Sequence, residues 1–311
     1  MGLFCGEGDH MRPIKLLNES KSKIRKSNPI ILTFIISLMV LLTSGFLYWQ
    51  NNAIGITSIV YENKRVPQAF DGFKIVQISD LHNKDFHGKL AEKIIEQKPD
   101  IIVITGDMID SRKTNVADAM KLMEEIQGIA QVYYVSGNHE ARSPSFDVLR
   151  EALLSMDVVL LDGKYAHIEK SGESIGILGV ADPLSIRSDS FADDQEYVLN
   201  SIDMIYKSAE TRAPFNILLS HRPELLKAYA LSGVDMVFSG HAHGGQIRLP
   251  FIGGVIAPNQ GFFPELTEGQ HTLTDSDRET TLIISRGLGN SLFPFRIFNR
   301  PELVVVTLKQ F

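Results

Sequence analysis

Cysteine is almost absent from this chain. The single one, Cys5, precedes every segment with apolar periodicity, so no intramolecular disulfide forms and no thiolate metal site can be assembled. An excess of positive charge is absent too: 31 Lys and Arg stand against 37 Asp and Glu, a formal net charge of −6. That balance excludes a surface built to displace counterions from duplex nucleic acid, so no nucleic-acid partner is expected, although a local basic pocket stays open. No period of about 20 to 50 residues recurs, which excludes a solenoid or propeller.

Long apolar runs are missing everywhere but once. Pro29 to Trp49 contains no charged residue. At roughly 1.5 Å per residue it is long enough for a ~30 Å hydrocarbon core, and it ends in the interfacial pair Tyr48-Trp49. A cleaved signal peptide has a shorter core, about 7 to 15 residues, followed by small residues. Phe46, Leu47, Tyr48 and Trp49 occupy that place here, so an uncleaved anchor is expected. Lys15, Lys21, Lys23, Arg25 and Lys26 lie ahead of the span and few charges follow it closely. The positive-inside bias then puts the N-terminus in the cytoplasm and the remainder outside a cell membrane. The expected organisation is a disordered basic cytoplasmic tail (1–28), a transmembrane anchor (29–49), a linker with a lead-in strand (50–72) and one domain (73–311).

Within that domain, short β-rich runs are predicted at Phe73 to Ser79, Asp100 to Thr105, Val132 to Ser136, Ile175 to Val180, Phe215 to Ser220 and Val234 to Ser239. In the first half they alternate with helical periodicity near 88–98, 115–127 and 145–155. Later strands near 246–249, 281–285 and 303–308 come with fewer helices. The pattern is α/β, with a mixed sheet or a two-sheet sandwich flanked by helices.

Five of the predicted strands are followed at once by groups able to bind metal or phosphate. They are ISDLH (Asp80, His82), ITGDMID (Asp107, Asp110), VSGNHE (Asn138, His139, Glu140), LLSH (His221) and FSGHAHGG (His241, His243). Each alone is a weak signal, because Asp and Gly-Asp after a strand are ordinary turns or caps. Together they converge, since the carboxyl ends of strands in an open α/β sheet face one crevice. Imidazoles and carboxylates without thiolate suit Mn, Fe or Zn, and a carboxylate can bridge two ions. Glycine ahead of Asp107, Asn138 and His241 allows a sharp turn and keeps bulk away from the site.

The ordered set D-x-H, G-D, G-N-H-E, H and G-H-x-H resembles the calcineurin-like metallophosphoesterase superfamily from about residue 73 to the C-terminus. The resemblance implies an αββα sandwich with two divalent ions, Mn first and Fe or Zn next. It also implies that Asp80, His82 and His243 serve one ion, that Asn138, His221 and His241 serve the other, and that Asp107 bridges them. The anchor, the block G-H-A-H-G-G-Q and the stretch S-R-G-L-G-N are similar to a membrane-associated branch that includes cell-wall-associated phosphoesterases and UDP-2,3-diacylglucosamine hydrolases.

Two such cations lower the pKa of a shared water, so that hydroxide attacks phosphorus in line with the leaving group. His139, next to a ligand rather than a ligand itself, is expected to protonate the leaving oxygen or to stabilise charge there. Asp110 resembles the carboxylate that holds such a ring in the phosphoprotein phosphatase branch, although Ser111 intervenes here before Arg112, and a plain helix cap is the alternative role. Asn83, Arg248 and Arg286 are candidate phosphate contacts. The expected substrate is a phosphorylated small molecule or a lipid-linked or wall-linked phosphoester or pyrophosphate of the cell envelope. The alternatives are a broad phosphomonoesterase and a non-catalytic metal-binding membrane scaffold.

Overall fold

A computed structural model describes residues 28–186, 190–275, 278–291 and 293–311. The basic tail, with Cys5, therefore lies outside the described residues. The chain divides into two units, Met1–Ser44 and Gly45–Phe311. The described part of the first is the apolar portion of helix α1 (Pro29–Asn52), among the described residues the one helix long and apolar enough to cross a membrane. None of its most apolar window is buried, so it is not a core helix.

The helix runs past the apolar stretch into Gln50, Asn51 and Asn52, and its portion from Gly45 onward belongs to the second unit. Gln50 and Asn51 are buried there. The segment after it is less of a linker than expected, because β1 (Gly55–Glu62) pairs along its whole length with the C-terminal strand β16 (Glu302–Lys309).

Two six-stranded sheets form the second unit. The first contains β1, β16, β2 (Lys74–Ile78), β3 (Ile101–Thr105), β4 (Gln131–Val135) and β5 (Val159–Leu160) in that spatial order. From β2 to β5 it is parallel, and β16 meets β2 antiparallel. The second has the order β14 (Gly269–Asp275), β15 (Arg278–Ile284), β9 (Met236–Ser239), β8 (Asn216–Ser220), β7 (Glu173–Val180), β6 (Lys164–Lys170). Its middle is parallel and both edges are antiparallel.

Alternation along each strand makes the layers. Ile75, Val103, Tyr133 and Val135 face Ile175, Ile177, Ile217, Leu219 and Phe238 between the sheets. The next residues over, Val76, Ile78, Ile102 and Ile104, pack outward on helices α2 (Lys89–Gln97), α3 (Val116–Ile126) and α5 (Phe146–Leu154). On the far side Leu178, Val180, Leu218 and Val237 meet α6 (Phe191–Ser208) and α7 (Leu226–Ser232). Strands with two apolar faces sit between helical layers, which is the αββα sandwich. Two small hairpins, β10 (Arg248–Leu249) with β11 (Gly253–Gly254) and β12 (Ile256–Ala257) with β13 (Gly261–Phe262), project beyond β9.

Candidate metal centre

Parallel strands of both sheets end at one edge of the sandwich. Asp80 and His82 follow β2, Asp107 follows β3, Asn138 and His139 open the short helix α4 (Asn138–Arg142) after β4, His221 follows β8, and His241 and His243 follow β9. All of these side chains are buried. The backbone is held in left-handed conformations at Asp80, His82, Asp107, His241 and His243, with φ of 52°, 48°, 54°, 67° and 48°. Each costs on the order of 1–3 kcal/mol and persists only where the surroundings fix it. Here Asp80 N–H donates to Gly106 O (3.0 Å) and His82 N–H to Asp107 O (2.9 Å).

The three glycines serve different ends. Gly106 has φ 87° and needs the freedom of glycine. Gly137 and Gly240 are required for space instead: a Cβ at Gly137 would fall on the Asp107 carboxylate, and one at Gly240 on the Ser79 hydroxyl and the Asp80 carboxylate.

Two donor sets meet at Asp107. In the first, Asp80, His82, Asp107 and His243 each offer a ligand atom within 4.8 Å of the others. His82 Nε2 and His243 Nε2 are 3.0 Å apart, His243 Nε2 is 3.4 Å from Asp80 Oδ1, and His82 Nε2 is 3.6 Å from Asp107 Oδ2. In the second, His221 Nε2 is 3.2 Å from Asp107 Oδ2, 3.2 Å from Asn138 Oδ1 and 3.2 Å from His241 Nδ1. Nitrogens and oxygens with lone pairs crowd together with too few protons to separate them, the arrangement that a shared cation resolves. The donor chemistry therefore fits divalent metal in both sets.

The electrostatics agree. Burial pushes His82 down to about 3, against the pull of Asp107. Burial opposes ionisation of Asp107 too, but His221, His82 and His139 hold it well below the usual carboxylate range. Burial would lower His221 as well, yet Asp107 and Asp80 push it up to about 10. The Asp107 and Asp80 carboxylates thus favour positive charge at the place where the second donor set converges.

Further contacts orient these side chains. His221 Nδ1–H donates to Thr105 O (2.7 Å), which leaves Nε2 free to coordinate. Glu140 accepts from the backbone N–H of Asp107 (2.8 Å), Gly137 (2.8 Å) and Ile109 (3.1 Å), tying the second and third motifs together. Burial and Asp107 push Glu140 up to about 8. Behind His243, Asn299 Nδ2 donates to the His243 carbonyl (2.7 Å), and the Arg296 guanidinium lies 3.4 Å from Nδ1. Glu224 lies 3.8 Å from His241 Nε2.

His139 stands over this cluster, with Nε2 4.0 Å from Asp107 Oδ2. Its ring has a different holder from the one expected. Ser111 N–H donates to Nδ1 at 3.0 Å, whereas Asp110 Oδ1 is 3.7 Å away, too far for a hydrogen bond. The Asp110 carboxylate turns to Arg112, taking both Nε (3.1 Å) and Nη2 (2.7 Å), because Ser111 places that guanidinium beside it.

A cleft of about 200 Å³ opens above the cluster, lined by Asp107, Asn138, His139, His241 and His243 and walled by Arg142, Leu184, Arg222, Pro258, Asn259 and Ser291. A wider hollow of about 420 Å³, lined by Met123, Gln127 and Gln131, holds no metal-ligand cluster among the described residues. Asn83, Arg248 and Arg286 do not line the cleft. Asn83 braces a loop, donating to Lys113 O (2.9 Å), Arg248 pairs with Glu268, and Arg286 pairs with Glu302 (3.0 Å). Arg222 is held by Asp182 and Asp194 (2.8 Å each). Arg142, one helical turn past Asn138, has no hydrogen bond or ion pair among the described residues. That i, i+4 spacing was the available sequence signal for Arg142. Asn259 and Ser291 carry no such signal.

The model of the calcineurin-like phosphoesterase family matches residues 73–245. An uncharacterized metallophosphoesterase of Campylobacter jejuni is 28% identical over 95% of this chain and 75% of its own. The uncharacterized metallophosphoesterase YkuE of Bacillus subtilis is 30% identical, covering 84% of this chain and 88% of YkuE. A transmembrane protein with metallophosphoesterase domain from Danio rerio is 26% identical over 79% of this chain, which spans 55% of that protein. Among solved structures, the NAD nucleotidase of Haemophilus influenzae aligns with a TM-score of 0.47 at 15% identity, over 70% of this chain and 45% of that one.

Proposed function

The chain belongs to the calcineurin-like phosphoesterase family, and from that premise we propose that it is a two-metal phosphoesterase, tethered by α1, acting on a phosphoester or pyrophosphate of the cell envelope. The observation that carries the reading is the meeting of two metal-ligand sets at the single carboxylate of Asp107. Asp80, His82, Asp107 and His243 would hold one ion, and Asp107, Asn138, His221 and His241 the other. Divalent ions bound there, Mn being our first choice, supply positive charge to phosphoryl oxygens and lower the pKa of a water.

The chain's own residues do the rest. With Ser111 N–H donating to Nδ1, the neutral His139 ring carries its proton on Nε2, on the side of Asp107. That N–H can donate a hydrogen bond to the leaving oxygen and stabilise the charge that develops there, and no phosphoenzyme is required. Arg142, the unpaired cation of the cleft wall, suits a non-bridging phosphate oxygen, with Asn259 beside it. The basic flank before α1 supports an orientation with the catalytic unit outside the membrane.

The test is hydrolysis by the full-length protein in detergent, stripped with a chelator and reloaded with Mn, against a nucleotide-diphosphate lipid, a phosphodiester and a phosphomonoester. Chelation should abolish turnover and Mn restore it, with the diphosphate lipid preferred. Turnover that survives metal removal, or no turnover of any phosphate ester, contradicts the proposal; preference for the monoester would replace the envelope substrate with a broad phosphomonoesterase.

A further inference from the structure

The two segments that complete the cleft wall also carry the most exposed aromatic surface of the catalytic unit. Pro258 and Asn259 from the hairpin region and Ser291 from the loop before β16 line the cleft. Away from the cleft the same segments turn apolar side chains to solvent. Phe251 is fully exposed, and Ile252 and Phe298 are 61% and 53% exposed around one shallow hollow. Phe293 and Phe295 pack edge to face at 6.4 Å and are themselves 38% and 45% exposed. Isolated surface hydrophobics need no explanation, but a grouped aromatic face marks a partner.

The partner is identified by what this face continues. Phe298 packs on Phe46 in α1 with ring centroids 5.5 Å apart, and the Arg300 guanidinium lies 4.9 Å above the Trp49 ring. Asn51, in the last turn of α1, accepts from Asn290 Nδ2 (2.9 Å) and from Arg296 N–H (3.0 Å). Tyr48 and Trp49 are the residue types that sit at the headgroup level of a bilayer. A surface tied to residues 46–51 by these contacts lies beside the residue types that favour the headgroup level, which makes lipid the partner its exposed phenyl rings fit.

We propose that the aromatic face made by Phe251, Ile252, Phe293, Phe295 and Phe298 inserts into the headgroup region of the bilayer that holds α1, forming a second membrane attachment. The inference rests on α1 being a membrane anchor. Its consequence is that the rim residues Pro258, Asn259 and Ser291 are held near the lipid headgroups, so that a phosphoester presented in the membrane plane reaches the cleft from the side of the lipid.

Nitroxide labels on the full chain, with Cys5→Ser as background, test this in vesicles of equal parts phosphatidylcholine and phosphatidylglycerol. Labels are placed at Phe251→Cys, Phe295→Cys, Leu42→Cys in the anchor and Met204→Cys on α6, where Met204 is 70% exposed. Collision rates are then read with oxygen, which concentrates in lipid, and with a water-soluble nickel chelate. The labels at 251 and 295 should favour oxygen severalfold over the ratio seen at 204, approaching that at 42. Labels at 251 and 295 that match 204 overturn the proposal while leaving the anchor in place. Shielding from both reagents overturns it in favour of a covering protein. A label at 42 that collides freely with nickel removes the anchor, and the docking with it. Depth is read in metal-free protein as well, so the result is independent of hydrolysis, and turnover of a soluble ester by each labelled variant verifies its fold.

Discussion

Two acidic residues three positions apart, Asp107 and Asp110, occupy different roles because of what their neighbours offer. Asp107 lies among His82, His139 and His221, whereas Asp110, although 3.8 Å from His82 and 3.7 Å from His139, takes its side-chain hydrogen bonds from the guanidinium of Arg112. We therefore expect His139→Asn to lower kcat by about 10² to 10³-fold with metal content unchanged, the usual worth of a hydrogen-bond donor to a developing oxyanion. The loss should shrink on substrates with acidic leaving groups. Asp110→Asn should cost less than about tenfold, because the Ser111 N–H and not the carboxylate bonds the ring. Steady-state rates on a pair of good and poor leaving groups check both, and equal losses from the two variants would return the ring-holding role to Asp110. The residues of the two donor sets were legible in the sequence because each closely follows a strand. Asn259, Ser291 and Glu224 were not, since only tertiary folding brings them to the cleft or behind His241.

Secondary-structure elements show the same division. Buried strands such as β3 and β8, apolar on both faces, stand within two residues of their expected positions. The edge strands β6 and β14 escape the sequence reading because Ile168 is the one residue buried in either, which dilutes the apolar signal. Helix α6 was also missed, although Val198, Ile202 and Ile205 form its buried stripe, because FADDQE at its start reads as a polar loop. The end of α1 has a consequence for truncation. Gln50 Oε1 accepts from Asn299 N–H (3.2 Å), Asn51 bonds Arg296, and Lys84 Nζ donates to the Asn51 carbonyl. A chain begun at residue 55 leaves these groups unpaired beside His243, whereas one begun at residue 45 keeps them. The shorter form should be less stable by about 1–3 kcal/mol for each buried group left unpaired, and should hold metal more weakly. Urea midpoints of the two forms check this, and equal midpoints would show that the helix end is dispensable.

On the scale of the whole molecule, the two sheets are joined at their strand ends by the centre itself, since His82, Asp107 and Asn138 come from one sheet and His221, His241 and His243 from the other. Metal held there would close the sandwich as well as serve the proposed reaction. The proposed tether predicts that protease added to protoplasts digests residues beyond about 50 and spares the basic tail, and full protection of the catalytic unit would reverse the orientation. The sharing of Asp107 is the claim on which the rest depends, and metal content tests it most directly. Elemental analysis of the full-length protein and of Asp107→Asn, loaded alike with Mn, should find about two ions per chain in the first. In the variant both should be lost together, with turnover reduced on the order of 10²-fold or more. A variant that kept both ions and its turnover would contradict the account.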